Sequence, residues 1–385
     1  MSFKKHIIFA ITVISSLFFV FAFADVVSED KFAEEAMEPP SFTDALLYGD
    51  EAVESYDRYL LANFVSKEKW SNLHKRLQIL FGKRQIGSVY LGKDGYLFEE
   101  HVPEAYPEQL MQEKLKLAEK LVTEWNARVM LVPTSDAVLS DKLPSSAPRL
   151  DQGRLSELAK ELLGEDYIDV EETLREHREE SYYRTDRSWT SYGAYYAYRV
   201  WTERMGISRY PYNLNIAQKA SEDVAGSLQQ QIGYGDYRDT LVYVRETLKR
   251  KVTVQFDFGK TSNSMYFPEW LDTDTPYSYY LDGPHAFTEL AFQVKTGRKL
   301  FLIGGSYSKA FVPLLAQHYD RIYLLEPDRF GGNVDALISS CLKKHPAEAQ
   351  SGDSPSRATD RTDAGYDVLI LYDNIEFLER FTWKE

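Results

Sequence analysis

Cysteine is almost missing from this chain. Cys341 is the only one among 385 residues, so no intrachain disulfide can form even in an oxidising compartment. Its place after Ala336, Leu337 and Ile338 reads as helix packing, not as a nucleophile. No metal-ligand cluster, phosphate loop or dinucleotide fingerprint is present, so the sequence implies no metal and no cofactor. Positive charge is short as well. With 45 lysines and arginines against 59 aspartates and glutamates, the net charge of -14 repels a phosphate backbone, which excludes nucleic acid as a partner and disfavours anionic membranes.

Near the N-terminus, Lys4, Lys5 and His6 precede an apolar run from Ile7 to Ala24, broken only by Thr12, Ser15 and Ser16. This pattern predicts an export signal over 1–24. It is cleaved after Ala22-Phe23-Ala24, or kept as an anchor, since about 18 apolar residues approach the length that spans a bilayer. Either outcome places the body outside the cytoplasm, extracellular or at the cell surface.

Residues 25–80 read as an N-terminal helical segment after Pro39 and Pro40, with Tyr56, Tyr59, Leu60, Phe64 and Trp70 at spacings of three and four. The remainder, 81–385, reads as an α/β domain. Val89-Tyr90-Leu91 and Tyr96-Leu97-Phe98 flank the turn Gly92-Lys-Asp-Gly95 as a hairpin. A helix with one apolar stripe at Met111, Leu115, Ala118, Val122 and Trp125 leads into the strand Val129–Val132. A second helix, through Leu155, Leu158 and Leu162, leads to a short strand at Tyr167–Val170. Helices alternating with short, wholly apolar strands predict a central parallel sheet with helices on both faces. From about 207 to 285 the pattern turns β-rich and reads as an insertion. The sheet resumes at Leu300–Ile303, Ile322–Leu325 and Val368–Leu371, with a disordered loop expected at about 346–365.

The stretch Tyr182–Tyr198 runs from a polar cluster into an aromatic helix that Gly206 should stop. Asp186 or Ser188 suits the N-cap of that helix. The same segment, Tyr183-Arg-Thr-Asp-Arg-Ser-Trp-Thr-Ser-Tyr-Gly-Ala, resembles the signature of the DHHW family and its alginate O-acetylation relatives, which are SGNH hydrolase-like proteins. The resemblance implies a three-layer α/β sandwich and a Ser-His-Asp triad. It also implies a polysaccharide or cell-surface glycan as substrate, with a membrane-bound O-acyltransferase as a possible partner. In the family this segment reads Thr-Asp-x-His-Trp-Thr. Here Asp186 and Trp189 are kept, but Ser188 stands where the family has histidine, preceded by Arg187.

A second segment, Gly304-Gly305-Ser306-Tyr307-Ser308, joins a strand to a helix, the geometry that presents a serine hydroxyl at the carboxyl edge of a parallel sheet. Glycines there allow a sharp turn, and N–H groups at the start of the helix suit an oxyanion. The resemblance gives Ser306 the nucleophile position, and Gly305 and Lys309 place the turn nearer the alginate-type pattern. Catalysis is thus expected from Ser306 and Asp186, with Tyr307, Trp189, Arg187 and Gly305 around the substrate. The base is the missing part. Arg187 stays protonated and Ser188 cannot accept the proton. Of the remaining histidines, His318 is too far along the helix from Ser306, His177 belongs to an acidic surface face, and His101 and His285 lie in loops, with His285 the better placed of those two.

Three readings follow from the sequence. The chain is a catalytically degenerate, glycan-binding accessory subunit of exopolysaccharide O-acetylation, an active serine-dependent O-acetyltransferase or acetylesterase with a relocated base, or a surface structural protein. The 27 tyrosines include Tyr192, Tyr195, Tyr196 and Tyr198 near the signature, which suit sugar stacking but more often pack in a core.

Overall fold

The computed structural model describes residues 75–208, 218–243, 251–293, 296–343 and 365–383. The expected export signal, most of the 25–80 segment and nearly all of the 346–365 loop lie outside them. Residues 1–83 and 84–385 form two units, and of the first only 75–83 are described, with a short helix over 75–80. Among the described residues no helix is long and apolar enough to cross a membrane.

The second unit opens with a small antiparallel sheet of β1 (Gln85–Ile86), β2 (Val89–Leu91) and β3 (Leu97–Glu99). Helix α1 (Glu108–Trp125) then leads to β4 (Arg128–Val132) and α2 (Gln152–Leu163) to the signature segment, which enters α3 (Ser191–Arg204). Gly206 ends that helix at a φ of 61°, as its sequence position suggests. Strand β5 (Gln218–Val224), α4 (Ser227–Ile232) and β6 (Asp239–Tyr243) follow, with β5 and β6 forming a separate two-stranded sheet.

Among the described residues the central sheet has seven strands. Its parallel half consists of β4, β12 (Tyr366–Asp373), β10 (Lys299–Gly304) and β11 (Arg321–Leu325), side by side in that order. Beyond β11 the sheet continues antiparallel through β9 (Phe287–Phe292), β7 (Val252–Phe256) and β8 (Thr261–Ser262). The later part of the β-rich 207–285 segment therefore extends the main sheet. Tyr167–Val170, expected as a strand, contributes a single parallel bridge between Tyr167 and Val129.

Alternation along the parallel strands divides the interior in two. Met130, Val132, Leu300, Leu302, Leu369 and Leu371 point to one core, shared with α3 and with α5 (Ser308–Leu315). Val129, Leu131, Phe301, Ile303, Val368 and Ile370 point to the other, shared with α1, α2, α6 (Val334–Lys343) and α7 (Asn374–Arg380). A period of two with both faces apolar is what a strand covered on both sides requires, and the result is a three-layer sandwich. Cys341 lies in the second core, packed as expected.

Candidate active site

The carboxyl ends of β4, β12 and β10 lie next to one another, and the chain leaving each end carries polar groups into one cleft of about 180 Å³. From β4 come Thr134, Ser135 and Asp136; from β10, Ser306; from β12 and α7, Asp373, Glu376 and Arg380. The segment after β3 adds Glu99 and His101, and the signature segment adds Arg187. Ligands bind at this edge of an open α/β sheet because the strands end and the helices have not yet closed over it.

Ser306 is half-buried, and its hydroxyl donates to Glu376 Oε2 at 2.9 Å while its backbone N–H donates to the same oxygen at 2.7 Å. Glu376 stands in the first turn of α7, the helix that Asp373 caps through the N–H groups of Ile375 and Glu376 at 3.0 and 2.9 Å. Burial and the neighbouring Glu376 carboxylate push the Asp373 pKa well above the usual range. Two acidic groups thus sit together beside the serine, one favouring its neutral form.

Also lining the cleft, His101 is buried and its Nδ1 lies 3.3 Å from Asp136 Oδ2. Asp136 is held in turn by the Thr134 hydroxyl and by Gln152 Nε2 at 3.4 Å. His101 Nε2 has no hydrogen-bond partner, and Glu99 Oε2 lies 3.7 Å from it. Burial pulls the His101 pKa down, but hydrogen bonding and charge from Asp136 and Glu99 more than offset it and raise it to about 10. At neutral pH the ring is an imidazolium, a donor and not a base.

The sign of that shift makes a prediction. A histidine whose pKa rises on folding stabilises the protein fully below its unfolded value of 6.5 and loses that contribution as pH climbs through about 10. His101→Gln should therefore unfold at a lower temperature than the native chain at pH 6, with the gap narrowing steadily towards pH 10. A gap constant over that range would mean the native ring is uncharged.

Residues 89–267 match the family described as an SGNH hydrolase-like domain, acetyltransferase AlgX. The fold is SGNH hydrolase-like. Among solved structures, a DHHW family protein from Eubacterium siraeum is 18% identical with a TM-score of 0.57, over 77% of this chain and 96% of that one. PatB1 of Bacillus cereus, solved with a sulfonyl adduct, is 17% identical with a TM-score of 0.55, over 78% and 100%. The O-acetyltransferase domain of Pseudomonas putida AlgJ is 17% identical with a TM-score of 0.42, over 77% and 94%. No curated protein matches the sequence. The family match ends before Ser306.

Within this SGNH-like domain the signature segment and the serine turn do meet, through aromatic side chains. Trp189 Nε1 donates to the Tyr307 carbonyl at 3.0 Å, and Tyr307 Oη donates to the Arg187 carbonyl at 2.9 Å. The two rings stack with centroids 5.0 Å apart. Both are fully buried and neither lines the cleft, so these two fasten the signature segment to the serine turn. Arg187 does line it, paired with Glu99 at 3.1 Å.

Asp186 lies elsewhere. Its Oδ1 accepts the Ser188 N–H at 2.9 Å and its Oδ2 accepts the Ser227 N–H, the first of α4, at 2.8 Å. The cap of α3 is Thr190, accepting from Tyr192 and Gly193, so the polar cluster begins that helix four residues later than Asp186 suggested. Asp186 and Ser188 are buried and do not line the cleft that holds Ser306.

The glycines of the serine turn also act differently from expectation. Neither Gly304 nor Gly305 has a positive φ. A Cβ on Gly305 would fall 2.1 Å from Glu376 Oε2, so this glycine makes room for a carboxylate. Lys309, which marked the turn as alginate-like, is buried in an ion pair with Glu326 at 3.1 Å. Of the other histidines, His285 pairs with Asp257 at 2.8 Å and His318 with Tyr198 Oη at 2.6 Å, and His177 stacks on Tyr196. Among the described histidines, His101 is the one that lines the cleft.

Proposed function

We propose that this protein is a serine-dependent O-acetyltransferase or acetylesterase acting on an exported polysaccharide or cell-surface glycan. The observation that carries the reading is the shared cleft: Ser306, at the carboxyl edge of the sheet, lines it together with the buried His101. An imidazolium with a free N–H suits the negative charge that develops on an ester carbonyl oxygen as a serine attacks it. The apolar run Ile7–Ala24 behind Lys4 and Lys5 supports a place outside the cytoplasm, where a membrane-bound O-acyltransferase would supply the acetyl group.

A second reading, a glycan-binding accessory subunit without acyl transfer, is favoured by one feature. Ser188 replaces the signature histidine, and both oxygens of Asp186 are taken by backbone N–H groups.

Incubation with an aryl sulfonyl fluoride separates the two. An active nucleophile should take one sulfonyl group, mapped to Ser306 by peptide mass spectrometry and absent from Ser306→Ala. An unlabelled chain that still binds a soluble polysaccharide would favour the accessory role.

A further inference from the structure

We propose that Glu376 is the proton acceptor for Ser306, taking the place of the absent signature histidine. The inference rests on the reading of Ser306 as nucleophile and adds the group that activates it. A base must lie within hydrogen-bond reach of the proton it removes, and the Glu376 carboxylate meets this test at 2.9 Å from Ser306 Oγ. Glu376 touches the reacting oxygen itself, which makes it a catalytic residue in this assignment.

Three features hold it there. Gly305 leaves the space that any Cβ would fill, since that atom would fall 2.1 Å from Oε2 and 2.3 Å from Cδ. The Ser306 N–H fixes Oε2 from the backbone side at 2.7 Å. Arg380, one turn along α7, lies 3.5 Å from Oε1. The other ionisable groups facing the carboxylate are Asp373 at the foot of α7 and, across the cleft, His101, Asp136, Glu99 and Arg187. Glu379, on α7 as well, is engaged by Tyr106 Oη at 2.7 Å.

The step balances without a cofactor. Ser306 Oγ bonds to the acetyl carbon while its proton passes to Glu376 Oε2. The ester C–O bond of the donor breaks, and the leaving oxygen takes that proton from Glu376. A glycan hydroxyl, or water, then attacks the acetyl-serine, gives its proton to Glu376, and Ser306 Oγ leaves with it. His101, which lines the same cleft, is the donor available to the carbonyl oxygen. A carboxylate and an imidazolium therefore divide the work, the first as base and the second as electrostatic support.

The test uses the full chain with p-nitrophenyl acetate. Glu376→Gln should lower kcat by about 100-fold or more. Glu376→Ala should regain turnover when sodium formate is added, because a small carboxylate can occupy the vacated space; a purely structural side chain would show no such rescue. Gly305→Ala, which displaces Glu376 without altering it, should lower kcat in the same direction. Native turnover in Glu376→Gln, or no rescue of Glu376→Ala by formate, would overturn the assignment. If Ser306→Ala is inactive in that same series, the nucleophile stands and the base alone is wrong. A native chain with neither ester turnover nor sulfonyl labelling overturns both.

Discussion

Replacing Ser306 with alanine should remove acetyl-ester turnover, by about 10³-fold or more, while leaving the fold almost untouched. Both halves follow from the contacts of one side chain. The hydroxyl makes a single hydrogen bond, to Glu376, and the backbone N–H that holds the same carboxylate oxygen survives the substitution. Loss of one partly exposed hydrogen bond costs about 1 kcal/mol. Loss of the nucleophile of a covalent mechanism removes most of the rate, because the remaining groups have no bond to make. The measurement is kcat against p-nitrophenyl acetate together with the urea midpoint of the same preparation. An active Ser306→Ala variant would end the enzymatic reading, and a large fall in its urea midpoint would show that the serine holds the turn instead.

The sheet was legible in the sequence because its parallel strands are short runs of apolar residues between helices, and such runs carry their own boundaries. Val129–Val132, Leu300–Ile303 and Val368–Leu371 all lie within the strands that form. Tyr167–Val170 looks alike in sequence, yet pairs at one position and then enters a helical turn. The site was legible at Ser306, since a strand-glycine-glycine-serine-helix pattern fixes where the hydroxyl emerges. It was not legible at His101, whose partner Asp136 is 35 residues away in another loop, so that neither periodicity nor spacing joins them. Glu376 was hidden for another reason. A lone glutamate in the first turn of a helix reads as dipole complementation, and only Gly305 hinted at it, a glycine whose φ needs no glycine. Asp186 shows the converse. A residue in the family position can be held by the backbone of a helix from the β-rich segment, 41 positions further along.

Trp189→Ala should be the most destabilising of these substitutions. Trp189 is completely buried, stacked on Tyr307 and on Phe311 with centroids 5.0 and 6.2 Å apart, and its Nε1 is the donor to the Tyr307 carbonyl. Truncating a core tryptophan costs about 3–5 kcal/mol, a large share of the roughly 5–15 kcal/mol that stabilises a domain. The reciprocal bond from Tyr307 Oη to the Arg187 carbonyl makes the effect more than local, because the two bonds clamp the signature segment to the turn that carries Ser306. A double-mutant cycle separates packing from clamping. Trp189→Phe keeps an aromatic ring and loses the donor, whereas Tyr307→Phe keeps the ring and loses the bond to Arg187. Residues sharing one network couple by about 0.5–3 kcal/mol, so urea unfolding of the double variant should fall short of the sum of the singles. Strict additivity would mean the two bonds act separately, and the serine turn would then owe its position to α5 and β10 alone.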